Sequence, residues 1–163
     1  MTSHTITAVQ QIPASVEAVW DFFSDPANLR IITPEYMNFR VISQQSDRIY
    51  TGQIIEYKVS PLWGVPLYWM TEIREVKEKI LFIDEQRKGP YTLWHHEHRF
   101  REIPGGVEMT DIVQYKNPGW IAGRVVNRFF IRSKLRHLFE YRARKTEELF
   151  GKWPGREPVL TIH

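Results

Sequence analysis

The chain has 163 residues, no cysteine and a formal net charge of +3, which excludes a disulfide scaffold, a thiol nucleophile and thiolate metal sites. Hydrophobic residues make up 42% and aromatic residues 13%; this excludes a disordered chain and predicts a single folded domain. The charge is uneven: residues 121–152 carry nine Lys/Arg against three Glu, while the rest carries thirteen against sixteen, so the basic character belongs to the C-terminal segment.

In chain order, His4 to Ile12 alternates and ends at Pro13, which predicts a strand. Ser15 is a good N-cap, and a helix follows with Glu17 in its first turn and Trp20, Phe22 and Phe23 as anchors, stopping near Ser24-Asp25-Pro26. A short second helix spans Ala27 to Ile32, before Pro34. Six strands then recur: Phe39–Gln44, Gln53–Ser60, Leu67–Val76, Ile80–Arg87, Tyr91–Glu102 and Val107–Lys116. Their links (Ser-Pro-Leu-Trp-Gly, Lys-Gly-Pro, Pro-Gly-Gly) are too short for crossover helices, so the sheet is antiparallel. Asn117-Pro118-Gly119 breaks the last strand. Ile121 to Phe150 is the one long helix, buried through Phe129, Phe130, Leu138 and Phe139, with Gly151 as its C′ stop. Residues 152–163, with two Pro and a Gly, read as a tail outside a domain at 1–151. One long helix on one curved antiparallel seven-stranded sheet, with two short helices after the first strand, is an α+β domain.

The stretch Gly89 to Phe100, GPYTLWHHEHRF, carries the strongest functional signal. On a strand, Trp94, His96, His98 and Phe100 share one face, and His95, Glu97 and Arg99 the other. The second face is charged and belongs in water. The first sets two imidazoles between two aromatics, where a plain core would use Val, Ile or Leu, because a buried imidazole must find partners. That combination predicts the wall of a partly polar, partly aromatic pocket.

The opening segment (strand, Pro13-Ala14-Ser15, Val16–Phe23, Asp25-Pro26, Leu29) resembles that of the START-like, or SRPBCC, superfamily of helix-grip proteins. Phe82–Gln86, Gly89-Pro90, Trp94-x-His96-x-His98-x-Phe100, Gly106, Asp111 and Tyr115 resemble a bacterial, polyketide cyclase/dehydrase-like subgroup of ligand-binding SRPBCC proteins, also labelled cell-division inhibitors. The resemblance covers roughly residues 3 to 150. It implies a helix-grip fold with an elongated cavity for a hydrophobic ligand, and leaves activity open, since members bind, transport or transform ligands on one fold.

Within such a cavity, His96 and His98 are the candidate polar contacts or acid–base groups. A hairpin at Pro104-Gly105-Gly106 brings Asp111 near one of them. His-x-His also suits two ligands of one metal, with Asp111 as a third, but no other histidine lies in a strand that reaches them, so no metal and no cofactor is expected. Tyr57, Trp69, Thr71, Gln86, Trp94, Phe100 and Tyr115 complete the expected ligand-binding set. Arg124, Arg128, Arg132 and Arg136 form a stripe that reads as a solvated face or as a site for acidic lipid or an acidic partner. Nucleic acid is not expected, because no loop interleaves basic and aromatic residues. No apolar run reaches the roughly 20 residues that span a bilayer, and the N-terminus lacks a basic and apolar leader, so a cytoplasmic protein is expected. Three functions stand open: binding of a small hydrophobic molecule, a cyclase/dehydratase-type enzyme using a cavity histidine, and a regulatory domain linked to cell division.

Overall fold

A computed structural model describes residues 3–43, 45–61, 64–117 and 125–163, with side chains from Phe129 in the last segment. The elements run β1 (His4–Ile12), α1 (Val16–Phe23), two 3-10 turns (Pro26–Arg30 and Glu35–Met37), β2 (Arg40–Ser43), β3 (Ile54–Val59), β4 (Leu67–Lys77), β5 (Leu81–Lys88), β6 (Leu93–Ile103), β7 (Gly106–Lys116), α2 (Val125–Phe150) and β8 (Val159–Ile162). The strands form one antiparallel sheet in the order β2-β3-β4-β5-β6-β7-β1-β8. Ser15 Oγ caps α1 by accepting from the Ala18 N–H at 3.2 Å, and Gly151, at φ +97°, closes α2 in the left-handed conformation that glycine tolerates best.

Four expectations are corrected. The sheet has eight strands, because the segment read as a tail contributes β8, which pairs with β1 from Ile6↔Ile162 to Val9↔Val159. Without it β1 would present an unpaired edge. The second short helix is a 3-10 turn over Pro26–Arg30, held by Asp25 accepting from the Ala27 N–H, and a further 3-10 turn follows at Glu35–Met37. Phe129 is exposed, so the buried stripe of α2 runs instead through Ile131, Leu135, Leu138 and Phe139. The expected start of this helix at Ile121 falls outside the described residues, as do Arg124 and the side chain of Arg128. Arg132 is no solvated cation: it donates to the carbonyl oxygen of Ile162 and ties α2 to β8.

Alternation along the central strands decides which side chains meet the helix. Trp94, His96, His98 and Phe100 are buried, while Arg99 is exposed and His95 and Glu97 are half-buried on the outer face. There they join a ladder of polar pairs: a His95–Glu85 hydrogen bond at 2.8 Å, and ion pairs of Glu72 with Arg74 at 2.7 Å and with Arg87 at 2.5 Å and of Arg99 with Glu97 at 2.5 Å. The buried face divides into three apolar groups. Ile6, Trp94, Val113, Tyr115 and Ile162 pack on Ile131, Leu135 and Phe139 of α2. Ile12, Val19, Trp20, Phe82, Phe100, Val107 and Met109 form a second group, and Ile55, Tyr57 and Ile73 a third. A cavity of about 230 Å³ touches members of all three.

Since β8 fills the sheet edge and seats Ile162 in the first group, Ile162→Ala should destabilise the protein by ~2–4 kcal/mol. Val159→Ala, on the exposed side of the same strand, should change stability by less than about 0.5 kcal/mol. Urea unfolding followed by circular dichroism measures both, and equal small effects would show that the strand adds nothing.

Candidate functional site

The centre of the cavity wall is a cluster of four ionisable side chains on three adjacent strands. Register alone builds it. Asp84 of β5 lies opposite His96 of β6, and His98 of β6 lies opposite Asp111 of β7. The side chains bond diagonally as well as directly. His98 Nε2 is 2.9 Å from Asp84 Oδ2, and His96 Nε2 is 2.9 Å from Asp111 Oδ1. His98 Nδ1 lies 2.8 Å from the same Asp111 oxygen, close enough for an ion pair but outside hydrogen-bond alignment. His96 Nδ1 is 3.8 Å from Asp84 Oδ2. The two imidazoles lie with ring centroids 3.7 Å apart, and Phe82 stacks on His98 at 4.0 Å.

Burial raises the cost of every charge in this cluster and is the largest single influence on each member. For Asp84 it is outweighed by His98 and His96, and for Asp111 by His96 and His98, so both carboxyls are held below the usual carboxylate range. Burial and the neighbouring His98 push His96 down, whereas Asp111 and Asp84 together overcome burial and raise His98. Of the two imidazoles, His98 is therefore the more readily protonated.

A cation comes from the helix. Arg142 of α2 lies one and two turns beyond Leu138 and Leu135 on the buried stripe and enters the same cavity. Burial lowers its basicity, against the electrostatic pull of Asp111 and Asp84. Its guanidinium stacks on Phe139 at 5.2 Å but makes no hydrogen bond or close ion pair with a described residue, and its Nε is cut off from solvent without a partner. Tyr57 and Tyr91 also line the cavity, and burial keeps both phenols protonated, with Asp84 adding to the effect at Tyr57 and Tyr115 at Tyr91.

Of the residues expected from sequence, Tyr57, Trp69, Thr71, Trp94, His96, His98 and Asp111 line the cavity. Three do not. Phe100 is consumed by the core, edge-on to Trp20 at 5.3 Å. Tyr115 is buried against Ile6, Val113 and Leu135. Gln86 holds the turn before β6, with its Nε2 donating to the Tyr91 carbonyl and its Oε1 accepting from the Tyr91 N–H. Asp84 and Arg142 are absent from the sequence-based set. Each carried a signal: Asp84 shares the inward parity of Phe82, and Arg142 continues the helical period of Leu135 and Phe139.

No family model and no curated protein matches the chain. Solved structures do. A structural-genomics protein from Chromobacterium violaceum superposes with a TM-score of 0.66 at 14% identity, over 91% of this chain and 98% of that one. A major latex-like protein from Panax ginseng gives 0.62 at 9% identity, over 91% and 97%. A nucleoside-diphosphate sugar epimerase from Corynebacterium glutamicum gives 0.63 at 23% identity, over 87% of this chain but 28% of that one. The likeness is one of fold: an antiparallel sheet gripping a C-terminal helix.

The cluster should dominate the local energetics. Asp111→Ala removes the hydrogen-bond partner of His96 Nε2 and the carboxylate facing His98 Nδ1 and should cost ~3–5 kcal/mol. Glu97→Ala, which breaks an outer-face pair, should cost no more than about 1 kcal/mol. Denaturant titration at neutral pH separates the two; a loss near zero for Asp111→Ala would mean that the four groups are not coupled.

Proposed function

We propose that the protein binds a small, largely apolar molecule with one hydrogen-bonding group in the cavity between the sheet and α2. The observation that carries this reading is the pairing of an apolar wall with one polar spot. Trp69, Tyr91, Trp94, Leu135, Leu138 and Phe139 supply the wall, and Arg142 with the Asp84–His96–His98–Asp111 cluster supplies the spot. A void of about 230 Å³ is far larger than the packing defects of a filled core. Each Å² of apolar ligand surface removed from water contributes roughly 25 cal/mol. The lining reaches the surface at Tyr36, Glu140 and Val159, which are exposed, so a ligand has a way in.

Within the spot, Arg142 Nε and His98 Nδ1 are the buried polar atoms without a hydrogen-bond partner among the described residues, and of the two only Arg142 has no carboxylate within ion-pair distance. A guanidinium whose buried Nε has no partner is an unmet donor, and an acceptor oxygen on a ligand satisfies it. The histidines are placed differently. Every ring nitrogen of His96 and His98 already faces Asp84 or Asp111 within 3.8 Å, which supports an orienting role over general acid–base work by these residues in a cyclase or dehydratase. The reading as a regulatory domain draws on the basic stripe, of which Arg132 bonds to Ile162 and Arg136 sits 4.0 Å from Glu140; those contacts favour a structural use.

The test uses 8-anilinonaphthalene-1-sulfonate, an apolar aromatic with one anionic group, together with native mass spectrometry of the purified protein. Saturable single-site fluorescence enhancement is expected, lost in Ala143→Phe, which fills the cavity from α2. Arg142→Met should weaken binding by about tenfold or more, the worth of a charge-assisted hydrogen bond. Absence of both saturable dye binding and any co-purifying adduct would overturn the reading.

A further inference from the structure

We propose that Asp84, His96 and His98 form a binding site for a divalent transition-metal ion, open to the cavity. One oxygen of Asp84 and one ring nitrogen from each histidine lie within 4.8 Å of one another. Asp84 Oδ2 stands 2.9 Å from His98 Nε2 and 3.8 Å from His96 Nδ1. Donors held about 2.0–2.2 Å from a tetrahedral ion lie about 3.3 Å apart, between those two values. Small side-chain rotations therefore bring three donors around one ion without moving a strand.

The opposite ring nitrogens make the case specific. His96 Nε2 and His98 Nδ1 both turn to Asp111 Oδ1, at 2.9 Å and 2.8 Å. A histidine that binds a metal through one nitrogen usually gives its other N–H to a carboxylate, which fixes the tautomer and raises the basicity of the ligand. Here one carboxylate serves both rings. Sequence spacing suggested Asp111 as the third ligand and gave no reason to expect an ion; the structure assigns Asp111 to the outer position and puts Asp84, from the strand on the other side of β6, in the inner one.

Two imidazole nitrogens and one carboxylate oxygen suit zinc, iron, cobalt, nickel or copper, and are a poor set for magnesium or calcium, which prefer oxygen. Three protein ligands leave at least one position free, and Asp84, His96 and His98 all line the cavity. An ion held there adds positive charge beside Arg142, which favours an anionic or strongly polarised oxygen in the open position.

The experiment uses untagged full-length protein stripped with a chelator, then titrated with Zn²⁺ by calorimetry and with Co²⁺ by visible absorption. One ion per chain is expected, with the intense d–d bands of four- or five-coordinate Co²⁺. Asp84→Asn and His96→Gln should each weaken binding by at least about tenfold, as should Asp111→Asn through the outer position. His95→Gln, on the opposite face, should change nothing. Should a variant fail to fold, the Co²⁺ spectrum of the wild-type chain decides alone: only the weak bands of the hydrated ion would overturn the proposal, as would Zn²⁺ affinity unchanged in folded Asp84→Asn. Dye binding to the stripped protein reads the cavity separately, so loss of one reading leaves the other standing.

Discussion

Two carboxylates on the inner face of a sheet constrain everything around them. Asp84 and Asp111 sit on the strands that flank β6, each about one-sixth exposed, and ionised groups so placed need cations. The imidazoles of β6 bond to both from between them, and Arg142 of α2 attracts both electrostatically. The arrangement is tolerable only as a set. Remove the helix cation and the anions lose their distant partner; remove the imidazoles and two charges are stranded beneath α2. The grip of sheet on helix is thus electrostatic at its centre and apolar around it.

That division explains why a void survives. Side chains from α2 interdigitate with the sheet where both faces are apolar, as Ile131, Leu135 and Phe139 do with Ile6, Trp94 and Val113. Near the cluster, closer approach would bury the polar atoms more deeply. Trp69 and Trp94, which line the cavity, stand edge-on to each other at 87°, an arrangement favourable in itself that leaves space beside the rings. Charge at the wall and stiff aromatics beside it keep the space open.

Much of this was legible in the sequence, for reasons that differ by element. The inward face of β6 followed from parity, because reversing it would bury Glu97 and Arg99 and expose Trp94 and Phe100. The proximity of Asp111 to a histidine followed from a tight hairpin. Asp84 was harder: it sits on β5, joined to β6 through Lys88-Gly89-Pro90, which does not by itself set the register of the two strands, so its place opposite His96 awaited coordinates. Arg142 lay in a basic segment, where one inward arginine resembles its solvated neighbours until the helix is docked. The strand β8 was hidden by the two prolines and the glycine before it, which mark a tail, although Val159, Thr161 and Ile162 are β-branched as strand residues often are.

The energetics bear on what the cluster is for. Replacing a buried ion network by well-packed apolar residues of similar volume is often neutral or stabilising, by ~1–4 kcal/mol. A chain selected for stability alone would carry Leu, Phe or Val at positions 84, 96, 98 and 111, as it does at Val107, Met109 and Val113 on the same sheet face. It carries two histidines and two aspartates instead, all bordering the cavity. Groups that cost stability and face a cavity are explained by what enters it. The outer-face ladder makes the contrast: its ion pairs are at least as numerous, but they meet water, cost little and demand no occupant.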